Sequence, residues 1–352
     1  MKKDVFIVSA ETHFPALYDS NYVTNKIYAE PMCSTKVKRL AQRLTTSSKI
    51  KQRAIAIDLD HYPQKRVTVD NQPVKWGEQL GYKLLKKLSA QHVDFISVSY
   101  NTSSHQNFVP NLACQIGQSL TIQPSKAPQE IVNYGCASGI FSIESAFQHC
   151  QQQGSAALVM AFEQSSWIFD PIYNDRHPLF KASLKGHTIF SDGSAGLLMV
   201  NESLADKFTR KLRVIDMITD FSYGDVIGMQ EGRFLVGDGV KDVMPALVTE
   251  RVIKPLLAKQ GLTAADIEDW AIHQGGLPVL TAFQAPEILG LTEQQIQHSL
   301  ASFCQYGNMS TPSNLVVLAS LFNRPDRVVG HYGLIVGFGA GYYMGAVLYQ
   351  HV

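Results

Sequence analysis

The 352-residue sequence lacks a charge excess of either sign, with 31 Lys and Arg against 30 Asp and Glu. A balanced chain raises no field that would attract nucleic acid or an anionic membrane surface, so no nucleic-acid or membrane partner is expected and a small or carrier-borne substrate is. Long apolar runs are also missing. No segment approaches the roughly 18 uninterrupted apolar residues of a membrane span, and the apolar stretch in MKKDVFIVSAE is too short for a signal-peptide core, reading instead as a first β-strand. Cysteine is scarce. Five residues without paired spacings argue against a disulfide framework or a zinc ribbon and point to the reducing cytoplasm, where any special cysteine is chemical. Cys33, Cys114 and Cys304 have no His or acidic neighbour at ligand spacing, so no metal is expected. The glycine-rich stretches at Asp192-Gly193 and Gly337 to Gly341 carry neither a P-loop nor a dinucleotide fingerprint.

What is there in quantity is apolar: 45% of the residues, ample for a large buried core. The most informative pattern is an internal repeat. Tyr134-Gly135-Cys136-Ala137-Ser138 opens one apolar helical run, and Tyr306-Gly307-Asn308-Met309-Ser310 opens another, with Cys136 and Asn308 offset by 172 residues. Upstream of each lies an acidic residue before a short strand, Asp94 with FISVS and Asp269 with WAIHQ, offset by 175. Downstream of each lies a glycine-rich strand, at Asp192 to Val200 and at Gly337 to Tyr349. Strand-like runs (VFIVSA, FISVSY, AALVMAF, LIVGF) alternate with helical patterns over 74–88 and 243–259, the order of a layered α/β fold. Two similar α/β lobes are expected, residues 1–203 and 204–352, joined in the polar stretch near Asn201 to Arg210 and packed as one body.

Three residues concentrate the chemistry. Cys136 sits where a strand-like VNY segment turns through Gly135 into a helix, and a helix N-terminus favours an anion and so a thiolate. A buried free cysteine packs equally well as a small hydrophobe. His273 follows the WAI strand at its C-terminal rim, where catalytic groups of α/β folds collect, although a structural histidine would fit there too. Asn308 holds the position symmetric to Cys136, a place that an N-cap would also explain. What lifts the set is the repeat: pseudo-symmetry brings the two helix starts face to face, with His273 beside them. Cys150, preceded by His149, reads as a packing residue.

These residues carry a resemblance. NYGCASGIFSIESA resembles the nucleophile helix of β-ketoacyl-ACP synthase III, DWAIHQGG its histidine motif and YGNMSTPSNLVVL its asparagine motif; GFGAGYYMGAVLY is similar to its C-terminal strand, and SSKIKQR echoes its early basic loop. The resemblance spans roughly Asp94 to Tyr349. It implies a thiolase-like fold, internally duplicated α/β lobes forming a layered α-β-α-β-α body. It also implies an acyltransferase of the 3-oxoacyl synthase type, without cofactor, in which Cys136 carries the acyl group of an acyl-CoA or acyl carrier protein thioester. The oxyanion would rest on the backbone N–H groups of Cys136 and Ala340 in the Gly339-Ala340-Gly341 turn. His273 and Asn308 would stabilise the enolate formed as a malonyl unit loses carbon dioxide. Phe338 would shape the wall near Cys136, Gly339 would line the substrate path and Arg176 would contact a phosphate. The family further implies a homodimer, paired through the strand after the nucleophile helix, here AALVMAF.

Some features depart from that family. Its histidine motif is usually followed by an Asn and then a basic residue, whereas here the chain reads Gly275-Gly276-Leu277-Pro278. The Gly-Gly together with YGNMS resembles chalcone-synthase-like type III polyketide synthases, which share the Cys, His and Asn but act iteratively on coenzyme A substrates. An insertion, HPLFKASLKGHTI, lies between Asp175-Arg176 and Phe190, and no tryptophan stands near Lys49 to Arg53 to stack on an adenine. Acyl transfer to an oxygen or nitrogen acceptor and a non-catalytic partner subunit stand as further readings, the last opposed by the presence of all three site residues.

Overall fold

The computed structural model describes residues 2–105, 109–152, 154–230 and 232–352. Along the first half run β1 (Val5–His13), β2 (Leu17–Asp19), α1 (Ser20–Ile27), α2 (Thr35–Ser48), β3 (Gln52–Ala54), α3 (Pro73–Leu84), β4 (Phe95–Tyr100), α4 (Leu112–Ser119) and β5 (Gln129–Val132). The half closes with α5 (Ser138–Gln152), β6 (Ala156–Glu163), α6 (Phe180–Ile189) and β7 (Gly193–Asn201). The second half runs through α7 (Glu202–Ala205), β8 (Leu212–Asp220), the hairpin β9 (Ile227–Gln230) and β10 (Arg233–Val236), α8 (Val240–Val248), α9 (Lys254–Lys259) and β11 (Ile267–Ile272). It ends with α10 (Leu277–Ala282), α11 (Glu293–Tyr306), α12 (Ser313–Asn323), β12 (Tyr332–Phe338) and β13 (Met344–His351).

Nine strands form one sheet in the order β11-β12-β13-β8-β1-β7-β6-β4-β5. Read outward from the β1/β8 junction, the halves repeat. β1 pairs β7 antiparallel, β7 pairs β6 antiparallel and β6 pairs β4 parallel; β8–β13, β13–β12 and β12–β11 do the same in the same senses. Among the described residues, three strand pairs, Val5 to Ile7 with Val214 to Leu212, join the two halves of the sheet. The alternation of strand-like and helical runs thus yields the layered α/β body expected from it.

The layers follow from where apolar residues fall. α12 reads SNLVVLASLFN, apolar nearly all round, and nine of its eleven residues are buried. A helix with no polar face belongs in an interior. α5 joins it there, and one central cluster unites Ile140, Ile143 and Ala146 of α5, Leu315 to Phe322 of α12 and inward residues of β1, β6, β7, β12 and β13. A second cluster seats α3 and α4 on the outer face of the first half, and a third seats α8 to α11 on the outer face of the second. A fourth lies beneath α1, α2 and α6.

Three expectations change. β6, the AALVMAF strand, is wholly buried and hydrogen-bonded on one side to β4 and on the other to β7, so it cannot pair with another subunit; the free edge of the first half is β5, which pairs only with β4. The helix expected over 74–88 spans 73–84 and ends at Leu84. The helix expected over 243–259 is α8 and α9 joined by a π-turn at Thr249–Ile253, just before Pro255, whose ring cannot supply the N–H that an α-helical bond to Arg251 requires. The inserted segment forms α6, in the 164–192 connection between β6 and β7 where the second half has only the turn 339–343 between β12 and β13.

Leu318 is fully buried between the sheet halves. Leu318→Ala is expected to destabilise the protein by about 2–5 kcal/mol, seen as a lowered urea midpoint.

Candidate active site

The nucleophile candidate is set by a sharp turn. β5 ends at Val132, Asn133 and Gly135 take φ of 65° and 58°, and one turn of helix at Gly135–Ala137 runs directly into α5. Gly135 is required there, since a Cβ would lie 2.5 Å from the Ala340 nitrogen. From the other side, a Cβ on Gly339 would lie 2.3 Å from the Cys136 nitrogen. The β12–β13 turn is therefore laid against the backbone of Cys136, which brings the two proposed oxyanion donors, the N–H groups of Cys136 and Ala340, side by side.

Cys136 is 7% exposed, and its Sγ lies 3.4 Å from Ser310 Oγ. Burial pushes its thiol up to about 12, and the nearby Glu163 carboxylate adds to this; the Ser310 hydroxyl and the cysteine's own N–H oppose it. The thiolate expected at the helix start is opposed by this desolvation, which favours the thiol.

His273 follows β11, its N–H bonded to the carbonyl of Val336 at 2.9 Å, its ring edge-on to Phe338 with centroids 5.3 Å apart. It is buried, which pushes its pKa down to about 3 and keeps the imidazole neutral. Its Nδ1 meets no partner among the described residues. Asn308 is also buried, and its Oδ1 accepts from the Ser310 N–H at 2.7 Å and the Ser313 hydroxyl at 3.4 Å. Those donors fix the amide's orientation and turn Nδ2 away from them. Asn308 is not the N-cap of α12, which starts five residues later behind Pro312.

The three are drawn together through shared neighbours. Ser310, held at φ 56°, touches Cys136 and takes the side chain of Asn308 on its N–H. Phe338 packs on His273, and the next residue, Gly339, abuts Cys136. Phe338 thus forms a wall beside His273, backed by Phe283. Arg176 lies exposed in the loop before α6, its N–H bonded to Asn174, and does not line the groove beside the site. That groove, of about 410 Å³, runs from Ser47 and Ser48 past Lys185 and Lys241 to Gly275 and Gly276, two and three residues after His273. Gly276 has φ 137°, a conformation costly to any side chain, so the Gly-Gly serves the turn from β11 into α10. Lys185 is ion-paired with Asp238 at the groove's edge.

Sequence reasoning missed Glu163 and its partners. Glu163, at the C-terminal end of β6, is wholly buried and accepts from the Thr102 N–H at 2.6 Å and the Thr102 hydroxyl, from Asn101 at 3.0 Å and from the Thr311 hydroxyl at 3.0 Å. Asn101 also donates to Ser310 Oγ and to the carbonyl of Gly135. Burial pushes the Glu163 carboxyl up. A signal existed: a lone acid ending an all-apolar strand, at the rim where α/β folds place their chemistry. Among the described residues, no group of three or more His, Cys, Asp or Glu could hold a metal ion, and no helix is long and apolar enough to cross a membrane.

Residues 257–351 match the family 3-oxoacyl-[acyl-carrier-protein (ACP)] synthase III, C terminal. A putative chalcone synthase from Bacillus subtilis (strain 168) is 26% identical over 246 residues, covering 66% of this chain and 64% of that protein. A 3,5-dihydroxyphenylacetyl-CoA synthase from Amycolatopsis orientalis is 25% identical over 239 residues, covering 66% and 62%. The matched segment thus spans less than two thirds of the length of these curated relatives. The crystal structure of PKS-I from the brown alga Ectocarpus siliculosus superposes with a TM-score of 0.82 at 18% identity, covering 100% of both chains. The fold is therefore thiolase-like. In sequence, the C-terminal stretch is similar to synthase III and the longer matched segments are similar to enzymes named as chalcone and polyketide synthases.

With a thiol raised to about 12, the alkylation rate of Cys136 by iodoacetamide should climb about tenfold per pH unit from pH 7 to 9, because only the thiolate reacts. A plateau above pH 7 would show a resting thiolate instead.

Proposed function

We propose that the protein extends acyl-CoA thioesters by decarboxylative condensation with a malonyl thioester, in polyketide-type biosynthesis. The observation that carries this reading is the convergence of Cys136, His273 and Asn308 through Ser310 and the Phe338-Gly339 turn. Cys136 sulfur attacks the acyl carbonyl while its proton passes to His273. A raised thiol and a lowered imidazole make the separated ion pair unfavourable at rest, so this transfer belongs with the attack itself. The carbonyl oxygen takes the charge and rests on the N–H groups of Cys136 and Ala340, and coenzyme A leaves as its thiol, taking the proton.

In the second half-reaction the malonyl thioester carbonyl takes hydrogen bonds from His273 and Asn308 Nδ2. The C–C bond to the carboxylate breaks, carbon dioxide departs and the electron pair remains as an enolate. Its carbon attacks acyl-Cys136, the C–S bond breaks, the β-ketoacyl thioester departs, and the released cysteine thiolate takes a proton from solvent to restore the thiol. Coenzyme A as the carrier is supported by the Gly275-Gly276 sequence in place of an Asn and a basic residue, and by relatives named as a putative chalcone synthase and a 3,5-dihydroxyphenylacetyl-CoA synthase. Lys185 and Lys241 on the groove, rather than Arg176, are the cations assigned to its phosphates. A homodimer is proposed through the free edge of β5.

The test is intact mass after incubation with a panel of acyl-CoA thioesters, Cys136→Ala as control, followed by malonyl-CoA. An adduct on the wild type, discharged with release of carbon dioxide, is expected. Asn308→Ala should still form the adduct but decarboxylate about 10²–10³-fold more slowly. An adduct that malonyl-CoA never discharges points to another acceptor or to a carrier protein; no adduct from any thioester overturns the reading.

A further inference from the structure

Arg53 belongs to a stretch whose sequence reads as a basic loop, yet its side chain is wholly buried beneath α6. Its Nη1 donates to the carbonyl of His187 at 2.6 Å and to that of Phe190 at 3.4 Å, while Nε and Nη2 have no hydrogen-bond partner among the described residues. The guanidinium stands 5.9 Å from the Phe169 ring. A buried cation without a bonded carboxylate carries a large desolvation cost, and a residue of that kind needs a reason. His187 is in the last turn of α6 and Phe190 directly follows it, so the carbonyls that Arg53 takes are those that a helix end leaves without intrahelical donors.

The segment leaving that helix end holds Asn308. The Asn308 N–H donates to the carbonyl of Ile189 at 2.9 Å, and the Ser191 N–H donates to the carbonyl of Asn308 at 2.8 Å. The Ser191 hydroxyl donates to the Tyr306 carbonyl. Gly307, at φ 77°, passes so close that a Cβ there would lie 2.7 Å from the Ile189 carbonyl oxygen. On the opposite flank, the Asp192 N–H donates to Ala54, and Asp192 accepts from the Ala56 N–H at 2.6 Å. Residues 189–192 are thus clamped between the β3 segment and the backbone of Asn308.

We infer that Arg53 is a positioning residue for Asn308: by holding the carbonyls at the end of α6 it sets where the Ile189 to Ser191 clamp places the Asn308 amide. The functional consequence rests on the reading above, in which Asn308 serves decarboxylation and Cys136 serves acyl loading. Arg53 does not touch substrate, and Cys136 is held by a different set of contacts, through Gly135 and Gly339. Its loss should divide the two half-reactions.

The experiment uses the full chain with Arg53→Met, which keeps bulk without donors, and Arg53→Lys, which keeps charge without the planar fork. Decarboxylation of malonyl-CoA should fall about 10- to 100-fold in Arg53→Met, with loading of Cys136 from acyl-CoA unchanged to within about threefold and Arg53→Lys between. A crystal structure of Arg53→Met should show Asn308 displaced by about 0.5 Å or more while Cys136 stays in place. Parallel loss of both half-reactions, or unchanged decarboxylation in a folded Arg53→Met, overturns the inference. Should Arg53→Met not fold, Ser191→Ala, which removes only the hydroxyl contact to Tyr306, carries the same expected split, and its absence overturns the inference equally. Should the wild type load Cys136 but never decarboxylate, the proposed function fails, and the position of Asn308 in the variant crystal still decides the inference.

Discussion

Where α5 begins, Gly139 lies so close to α12 that a Cβ there would stand 3.1 Å from the Thr311 carbonyl and 3.6 Å from Leu315. This contact is the constraint on which the rest depends. The glycine at the crossing lets the two buried helices approach without displacing the Thr311 carbonyl, which a Cβ would press by a few tenths of an ångström. Their approach carries Cys136, at the start of α5, to Ser310, just ahead of α12. The burial of α12 on nearly all faces supplies the driving force, and the hydrogen bonds around Asn308 and Glu163 hold the result in register.

The dryness that stabilises this centre also sets its chemistry. Burial raises the Cys136 thiol and lowers the His273 imidazole, each toward its neutral form, and the same effect raises Glu163 and moves Asp192 up to about 7. Cys136 and His273 are thus favoured in their neutral forms, among directed hydrogen bonds. Such a surrounding suits a reaction in which charge appears on an oxygen only in passing, since preorganised N–H donors stabilise it without being neutralised beforehand by fixed charge. Ser310, in a left-handed conformation that a serine adopts at a cost, stands between the thiol, Asn101 and Asn308 and links these groups.

Much of the architecture was legible because repetition is a property of one dimension. The pairs Asp94 with Asp269 and Cys136 with Asn308, and the strand from Gly193 with the MGAVLY strand from Met344, can be aligned without coordinates, and the sheet repeats strand by strand in the same senses. Strand β6 was legible as a strand but not in its neighbours, because an apolar run reads alike whether both edges are paired inside one subunit or one is left for another. Arg176 and Arg53 show the same limit. Both are basic residues near glycine-free polar stretches, yet one is solvated and the other wholly buried, a difference made by the folding of α6 over β3.

By itself the sequence determined the alternation of strands and helices, the duplication, and the three candidate residues that the fold then brings near one another, since these depend on local pattern and on spacing along the chain. Tertiary structure alone decided the protonation of those residues, the place of Phe338 against His273, the Glu163 network and the clamp that reaches Asn308 from Arg53. Each of these depends on desolvation and on contacts between segments far apart in the chain, and neither quantity exists until the helices have been buried between the two halves of the sheet.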